Sequence, residues 1–414
     1  MSKIIYSNLK KTFSTTFNLL KKIKEKPNIK LVSNFKVSKT SPLIWYFMNI
    51  IYYWNKYCIK RFKTDLVNLD NYSFNDNRIP LEKRFFVNYD SFNIIEMKYH
   101  GILTFLIDFI FDKKLGSFDS MIIKNGIIYN NIVNEKIVYT FFILNLEIKE
   151  LKFKKVNKKD TLLDLIFINI PNGEIVQGND NEFCFDNEHP SFKVKIDKFR
   201  VSKYCITNGQ FLEFVKNNGY KKSMYWDPEG VNYLKNKKLE HPIIWKKIND
   251  KWLENIFGKY KDLRMNNPIY NISYYEAKAY CRWSNCRLIT ESEWEYLANN
   301  FNDDILKDTN LNGSVGTTIS VLNDRNINKF GVIGLFGNVW EWCLDNFYPY
   351  DGFKLDIINR DRSYHYFGKK YTCRGGSFST SDKVLTKTYR GFEDPVILSK
   401  FIGFSLPKFE IPKV

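Results

Sequence analysis

The sequence predicts an α+β protein: an N-terminal four-helix bundle followed by a loop-rich domain of short strands and a few helices. Three observations predict it. Residues 1 to about 155 carry four long runs with apolar residues at three-to-four spacing. After residue 160 the texture changes to short β-like runs broken by Gly, Asn and Pro. In that second half Trp recurs at 226, 245, 252, 283, 294, 340 and 342, as expected where aromatic packing holds irregular chain together.

The expected bundle helices are 8–25, 42–62, 90–112 and 127–150. The second has the clearest start, because Ser41-Pro42 puts a proline at the first turn of an apolar run. The connections hold turn residues, as in "NLDNYSFNDNRIP". Four amphipathic helices joined this way suggest a bundle. "LKFKKVNKKD" (151–160) reads as a linker, which gives domains at 1–155 and 156–414. Beyond it, "LLDLIFINI" and "FKVKIDKFRVSKY" read as strands, and 273–284 and 290–299 as helices. The last opens with a capping box, Thr290 with Glu293 three residues on. Little else between them reads as regular.

Composition bounds the function. The 414 residues are 44% hydrophobic and 26% charged, enough to bury real cores. The formal net charge of +18 is spread along the chain. It favours acidic surfaces and, through non-specific charge, nucleic acid, but no zinc-knuckle spacing or nucleic-acid module is present. Seven cysteines in so long a chain fit thiols in a reducing, cytoplasmic setting rather than a disulfide scaffold. Cys281 and Cys286 lack a second pair or a nearby His, so they read as small buried residues. The N-terminus is basic and amphipathic without a long apolar core, and 43–59 and 99–112 are interrupted by polar residues; no membrane span is expected.

Three motifs occur in order: "NISYYEAKAYCRWSNCRLITESEWEYLA" (271–298), "GLFGNVWEWCLDNFYPYDGF" (334–353) and "CRGGSFSTSDKVLTKTYRGFEDP" (373–395). Together they resemble the formylglycine-generating-enzyme, or sulfatase-modifying-factor, domain, a loop-rich C-type-lectin-like fold. That oxidase needs a cysteine pair shortly after Gly375-Gly376-Ser377. Here no cysteine follows Cys373, and a hydroxyl does not replace a thiolate towards copper. "FCFDNEHPSFKVKIDKFRVSKYCITNGQFLEFVKNNGY", "MYWDPEG", "HPIIWKK" and "YPYDGF" are closer to the ergothioneine-type sulfoxide synthases. Those join a DinB-like bundle to this domain, in the order seen here.

The resemblance implies a non-haem iron(II) held by three bundle histidines, from Ser-Pro-x-x-Trp-His-x-x-His and His-Glu-x-x-His patterns. Here "SPLIWYFMN" puts Tyr46 and Asn49 at the first pattern's histidines. "VNEKIV" (133–138) puts Asn134 and Val138 at the second, with Glu135 kept. Asn is a weak ligand for iron(II) and Val is none. The chain holds only His100, His189, His241 and His365, no two of them four apart, so a slip in alignment does not restore the site. The relatives' closing Gly-x-Arg, whose arginine can face a substrate carboxylate, is Gly403-Phe404-Ser405 here. The implied pocket tyrosine falls near Tyr364 or Tyr366. Arg374 and Arg390 are expected to pair with buried carboxylates such as Glu291, Glu293 or Glu341, with a ligand role as the lesser reading. The resemblance also allows calcium at the turn Gly337, Val339, Glu341.

The sequence thus points to a degenerate sulfoxide-synthase homologue with no required cofactor, acting as a binding or structural protein towards a protein partner or acidic surface. The first alternative is an active C–S bond-forming oxidoreductase with an unusual iron(II) site. The second is a basic nucleic-acid-associated or assembly component.

Overall fold

The computed structural model describes residues 2–25, 40–62, 74, 79–112, 115–147, 162–181, 184–301, 306, 308–355 and 363–408. The chain divides into two compact units. The first comprises 1–148 with 181–183 and 356–365, and the second the remainder. The expected linker at 151–160 lies outside the described residues.

The first unit is built on four helices: α1 (Ser2–Lys24), α2 (Leu43–Tyr53), α3 (Phe92–Asp112) and α4 (Ser117–Ile143). α1 and α2 each pack against both α3 and α4. Every residue of α2 is buried, which is why its sequence is apolar all round rather than striped. The helical path continues through a π-helical turn at Trp54–Cys58 and a 3₁₀ turn at Ile59–Phe62, matching the expected 42–62. α4 departs from expectation, starting ten residues before 127. Gly126 lies inside this helix rather than before its start. A Cβ there would lie 2.4 Å from the Trp54 ring, so this glycine lets two helices approach around a fully buried indole. Leu9, Phe13, Ile102, Leu106, Ile123 and Ile137 complete the core. Each such side chain contributes roughly 1.5–3 kcal/mol on burial.

Among the described residues the second unit holds eleven short strands. β1 (Phe167–Ile170) pairs with β4 (Phe199–Ser202), and β2 (Gly173–Gln177) with β3 (Phe192–Ile196), all antiparallel. β5 (Trp245–Ile248), β6 (Lys251–Ile256) and β7 (Lys259–Asp262) form a meander. The central sheet has the order β10 (Gly391–Glu393), β9 (Tyr371–Arg374), β8 (Trp340–Asn346), β11 (Ile402–Gly403), with only β8–β11 parallel.

The helices α7 (Tyr274–Trp283) and α8 (Glu291–Asn299) fall where expected. Each opens with a complete capping box, Ser273 with Glu276 and Thr290 with Glu293. Two further helices, α5 (Asn208–Lys216) and α6 (Pro228–Lys237), correct the expectation of irregular chain there. Both carry start signals: Thr207 caps α5 with Gln210, and Asp227 caps α6 ahead of Pro228 at N1. α8 packs on β2, β3, β8 and β9. Its Trp294 and Leu297 join Ile170, Phe199, Val201, Leu335 and Phe336 in one apolar core.

Candidate functional site

α2 buries Asn49 at 2% exposure. Its side-chain amide is used at both ends: Nδ2 donates to the Phe74 carbonyl at 2.7 Å, and Oδ1 accepts from the Tyr129 hydroxyl at 2.8 Å. Tyr129 lies five residues before Asn134 on α4, about 140° around the helix axis. Asn49 and Asn134 therefore address different sides of α4.

Asn134 belongs to a polar network that crosses the bundle core. Trp54 Nε1 and the Tyr99 hydroxyl both donate to Asn130 Oδ1, at 3.0 and 2.6 Å. Asn130 Nδ2 donates to Thr16 Oγ1 at 2.9 Å, and Thr16 donates on to Asn134 Oδ1 at 3.0 Å. Burial pushes the Tyr99 phenol up, which keeps it a neutral donor. Asn134 Nδ2 has no partner. Glu135, 5% exposed, accepts from the Tyr139 hydroxyl one turn on. Val138 shares the Asn134 face at i+4 and offers only methyl groups. The bundle's one histidine, His100, is exposed and stacked on Phe17 at 4.0 Å.

These residues do not fit an iron(II) centre. Two amides committed to neighbours and a valine stand where the resemblance implies three imidazoles, and the bundle's histidine faces outward. Among the described residues no group of three or more His, Cys, Asp or Glu side chains is arranged to hold a metal.

In the second unit the arginines are structural. Glu291 and Glu295 lie one turn apart on α8 and so point the same way. Arg390 forks onto Glu291, with Nε and Nη2 at 2.7 and 2.9 Å. Arg374 reaches Glu295 at 2.6 Å and Glu291 at 3.3 Å, over the Trp294 ring. Further donors of both go to the carbonyls of Asn187, Tyr348, Lys387 and Thr388, while Arg374 Nε has no acceptor among the described residues. Burial opposes ionisation of Glu291, but Arg390 and Arg374 together overcome it and hold the carboxyl below its usual range. Of the expected partners, Glu291 is the one both arginines use. Glu293 pairs with Arg287 instead, and Glu341 is bonded to neither arginine. The missed partner, Glu295, was signalled by its spacing from Glu291. The Phe-Asp-Asn-Glu motif joins the same frame: Glu188 accepts from the Phe185 amide and the Thr388 hydroxyl.

Of the pocket candidates in the second unit, Arg374 and Arg390 meet at Glu291. Ser405, 2% exposed, is core: its hydroxyl lies 3.7 Å from Cys205 Sγ and is bonded to Glu341. Tyr364 is 57% exposed and lies in the segment 356–365 assigned to the first unit.

The turn Gly337-Asn338-Val339 leads into β8 through left-handed backbone at Gly337 and Asn338, φ 73° and 61°. Next to it Glu341 is fully buried. Trp294 Nε1 lies 3.4 Å from one of its oxygens, and Oε2 has no partner. A small cavity beside the turn is lined by Cys205, Asp324, Gly334, Asn338 and Val339. Asp324 Oδ2 also has no partner, and sits 3.0 Å from where a Gly334 Cβ would be. Burial pushes Asp324 up to about 6 and Glu341 up to about 7. Cys205 feels both carboxylates, which with burial drive its thiol up. Two orphaned buried carboxylate oxygens at one turn fit a hard divalent cation completed by backbone carbonyls.

Comparison with known proteins agrees with this anatomy. Residues 152–408 match the model of the sulfatase-modifying factor enzyme 1-like domain. The chain is 28% identical over 246 residues to a hercynine oxygenase of Mycobacterium tuberculosis, covering 56% of this chain and 57% of that protein. It is 26% identical over 228 residues to a formylglycine-generating enzyme of the same organism, covering 44% of this chain and 75% of that one. Among solved structures, PvdO from Pseudomonas aeruginosa is similar at 21% identity and a TM-score of 0.41, over 59% of this chain and 94% of that one. The chain spans little more than half the length of the hercynine oxygenases it matches. With the motifs, the α8 arginine frame and the β8 turn all inside the matched span, the chain belongs to the sulfatase-modifying factor enzyme 1-like family.

Proposed function

We propose that this chain is a non-catalytic homologue of the hercynine oxygenases, retained as a binding or structural protein. The bundle interior carries the reading. Asn49, Asn134 and Val138 stand at the implied ligand positions, and the two amides are spent on Phe74, Tyr129 and Thr16. Thr16, Trp54, Tyr99 and Asn130 form a hydrogen-bonded network through the core. Incubation with iron(II), hercynine and a thiol is expected to consume oxygen no faster than buffer does. Consumption above that background that scales with protein would overturn the reading.

The partner is an acidic surface. The net charge of +18 and the exposed lysines 246, 247, 251, 259 and 261 around the meander support this.

The second unit holds calcium at the β8 turn, with Glu341 and Asp324 as side-chain ligands and Gly337 and Val339 supplying backbone carbonyls. The orphaned oxygens of Asp324 and Glu341 support it. The ion would supply charge compensation to the turn and no reaction step. Calcium at about 100 times its Kd is expected to add about 2.7 kcal/mol, a rise of several degrees in Tm. The Asp324→Asn and Glu341→Gln proteins should lose that rise; an equal rise in all three would remove the site.

A further inference from the structure

The central sheet places an amine against a thiol. Cys373 lies on β9, opposite Trp342 on β8 and Gly391 on β10. Gly391 leaves the space that Cys373 and Trp340 fill: a Cβ there would come to 2.9 Å from Cys373 Sγ and 2.6 Å from the Trp340 ring. Lys400, two residues before β11, reaches into this space. Its Nζ lies 4.2 Å from the centre of the Trp340 ring and 3.6 Å from Cys373 Sγ. Lys400 is only 8% exposed and pairs with the partly exposed Glu393 at 3.5 Å. Cys373 is fully buried and in no disulfide.

We propose that Cys373 and Lys400 are a modification site, at which dioxygen joins them by a covalent N–O–S link. The step balances. The thiol loses its S–H hydrogen, and the ammonium loses one proton to solvent and one N–H hydrogen to water. One oxygen atom bonds both sulfur and nitrogen, and the other leaves as that water. Sulfur and nitrogen each give up two electrons, and dioxygen takes the four. The separation is short enough that side-chain rotation alone admits the bridging atom. Burial favours the nitrogen as the trap for an oxidised sulfur, because bulky thiols that would otherwise cap it are excluded. The link staples β9 to the segment entering β11 across the intervening β8, closing a loop between positions 27 apart.

The test uses the full chain, purified with reductant and then exposed to dioxygen or left anaerobic. After proteolysis, the oxygen-exposed sample should yield a joined peptide pair containing Cys373 and Lys400, about 14 Da heavier than the two apart. The pair should vanish on treatment with a dithiol, and Tm should fall by several degrees with it. Lys400→Arg keeps a cation over Trp340 and should abolish the joined pair; Cys373→Ser should do the same. Oxygen-exposed wild type whose Cys373 peptide stays a thiol, or climbs to sulfinic acid with Lys400 unjoined, would overturn the proposal. Because the wild-type protein is itself scored, a variant that fails to fold does not rescue it.

Discussion

Glu291→Ala is expected to unfold the second unit or bring it to the edge of unfolding at room temperature. Glu291 compensates two guanidinium groups that are almost wholly buried, accepting two hydrogen bonds from Arg390 and one from Arg374. Removing one partner of a buried ion pair costs about 3–5 kcal/mol, because the other charge is left without compensation. Here two are left, against a total stability of about 5–15 kcal/mol for an ordinary domain. Arg374 retains Glu295, so the larger loss falls on Arg390, which keeps only carbonyl acceptors. Denaturant unfolding measures it; a cost below about 1 kcal/mol would show that this frame does not hold α8 to the sheet. The pH dependence has a definite sign. Glu291 titrates below its ordinary value of 4.5, so its contribution is present above that pH and lost as pH falls through the lower, folded value.

The second large effect is expected in the bundle. Asn130→Leu keeps roughly the side-chain volume but strands Trp54 Nε1 and removes partners from the Tyr99 and Thr16 hydroxyls. Each buried polar group left unsatisfied costs about 1–3 kcal/mol. The network predicts a total of about 3–5 kcal/mol, larger than for Asn134→Leu, which strands fewer donors and removes an already unpartnered Nδ2. Thermal unfolding of the two variants side by side checks the order. An Asn134→Leu protein less stable than Asn130→Leu would place the hub elsewhere.

Much of this was legible in the sequence because local signals and the fold agreed. The helix starts at Ser273 and Thr290 are complete capping boxes, and the structure uses both. The apolar run from residue 42 kept its helical path through a π turn. The early start of α4 was not legible because the role of Gly126 is tertiary: it leaves room for Trp54, and periodicity along one helix cannot register an indole from another. α5 and α6 carried ordinary caps and were passed over because their surroundings looked irregular. The absence of three bundle histidines could be read directly, since it is a matter of composition. What surrounds the implied ligand positions could not. That Asn49 is held by Tyr129 and Phe74 depends on side-chain directions fixed by packing among α2, α4 and the segment at 74. Asp324 was invisible for a related reason: it reaches the β8 turn from a separate loop, across a glycine ten residues later in the chain.

The central claim is that the bundle core has become a hydrogen-bonded network with no place for iron. The most direct test is iron per chain after anaerobic loading with iron(II) and desalting, on protein that is folded and monodisperse. The account predicts no stoichiometric iron in the wild-type chain. One iron per chain, lost on Asn49→Ala or Glu135→Ala, would contradict it.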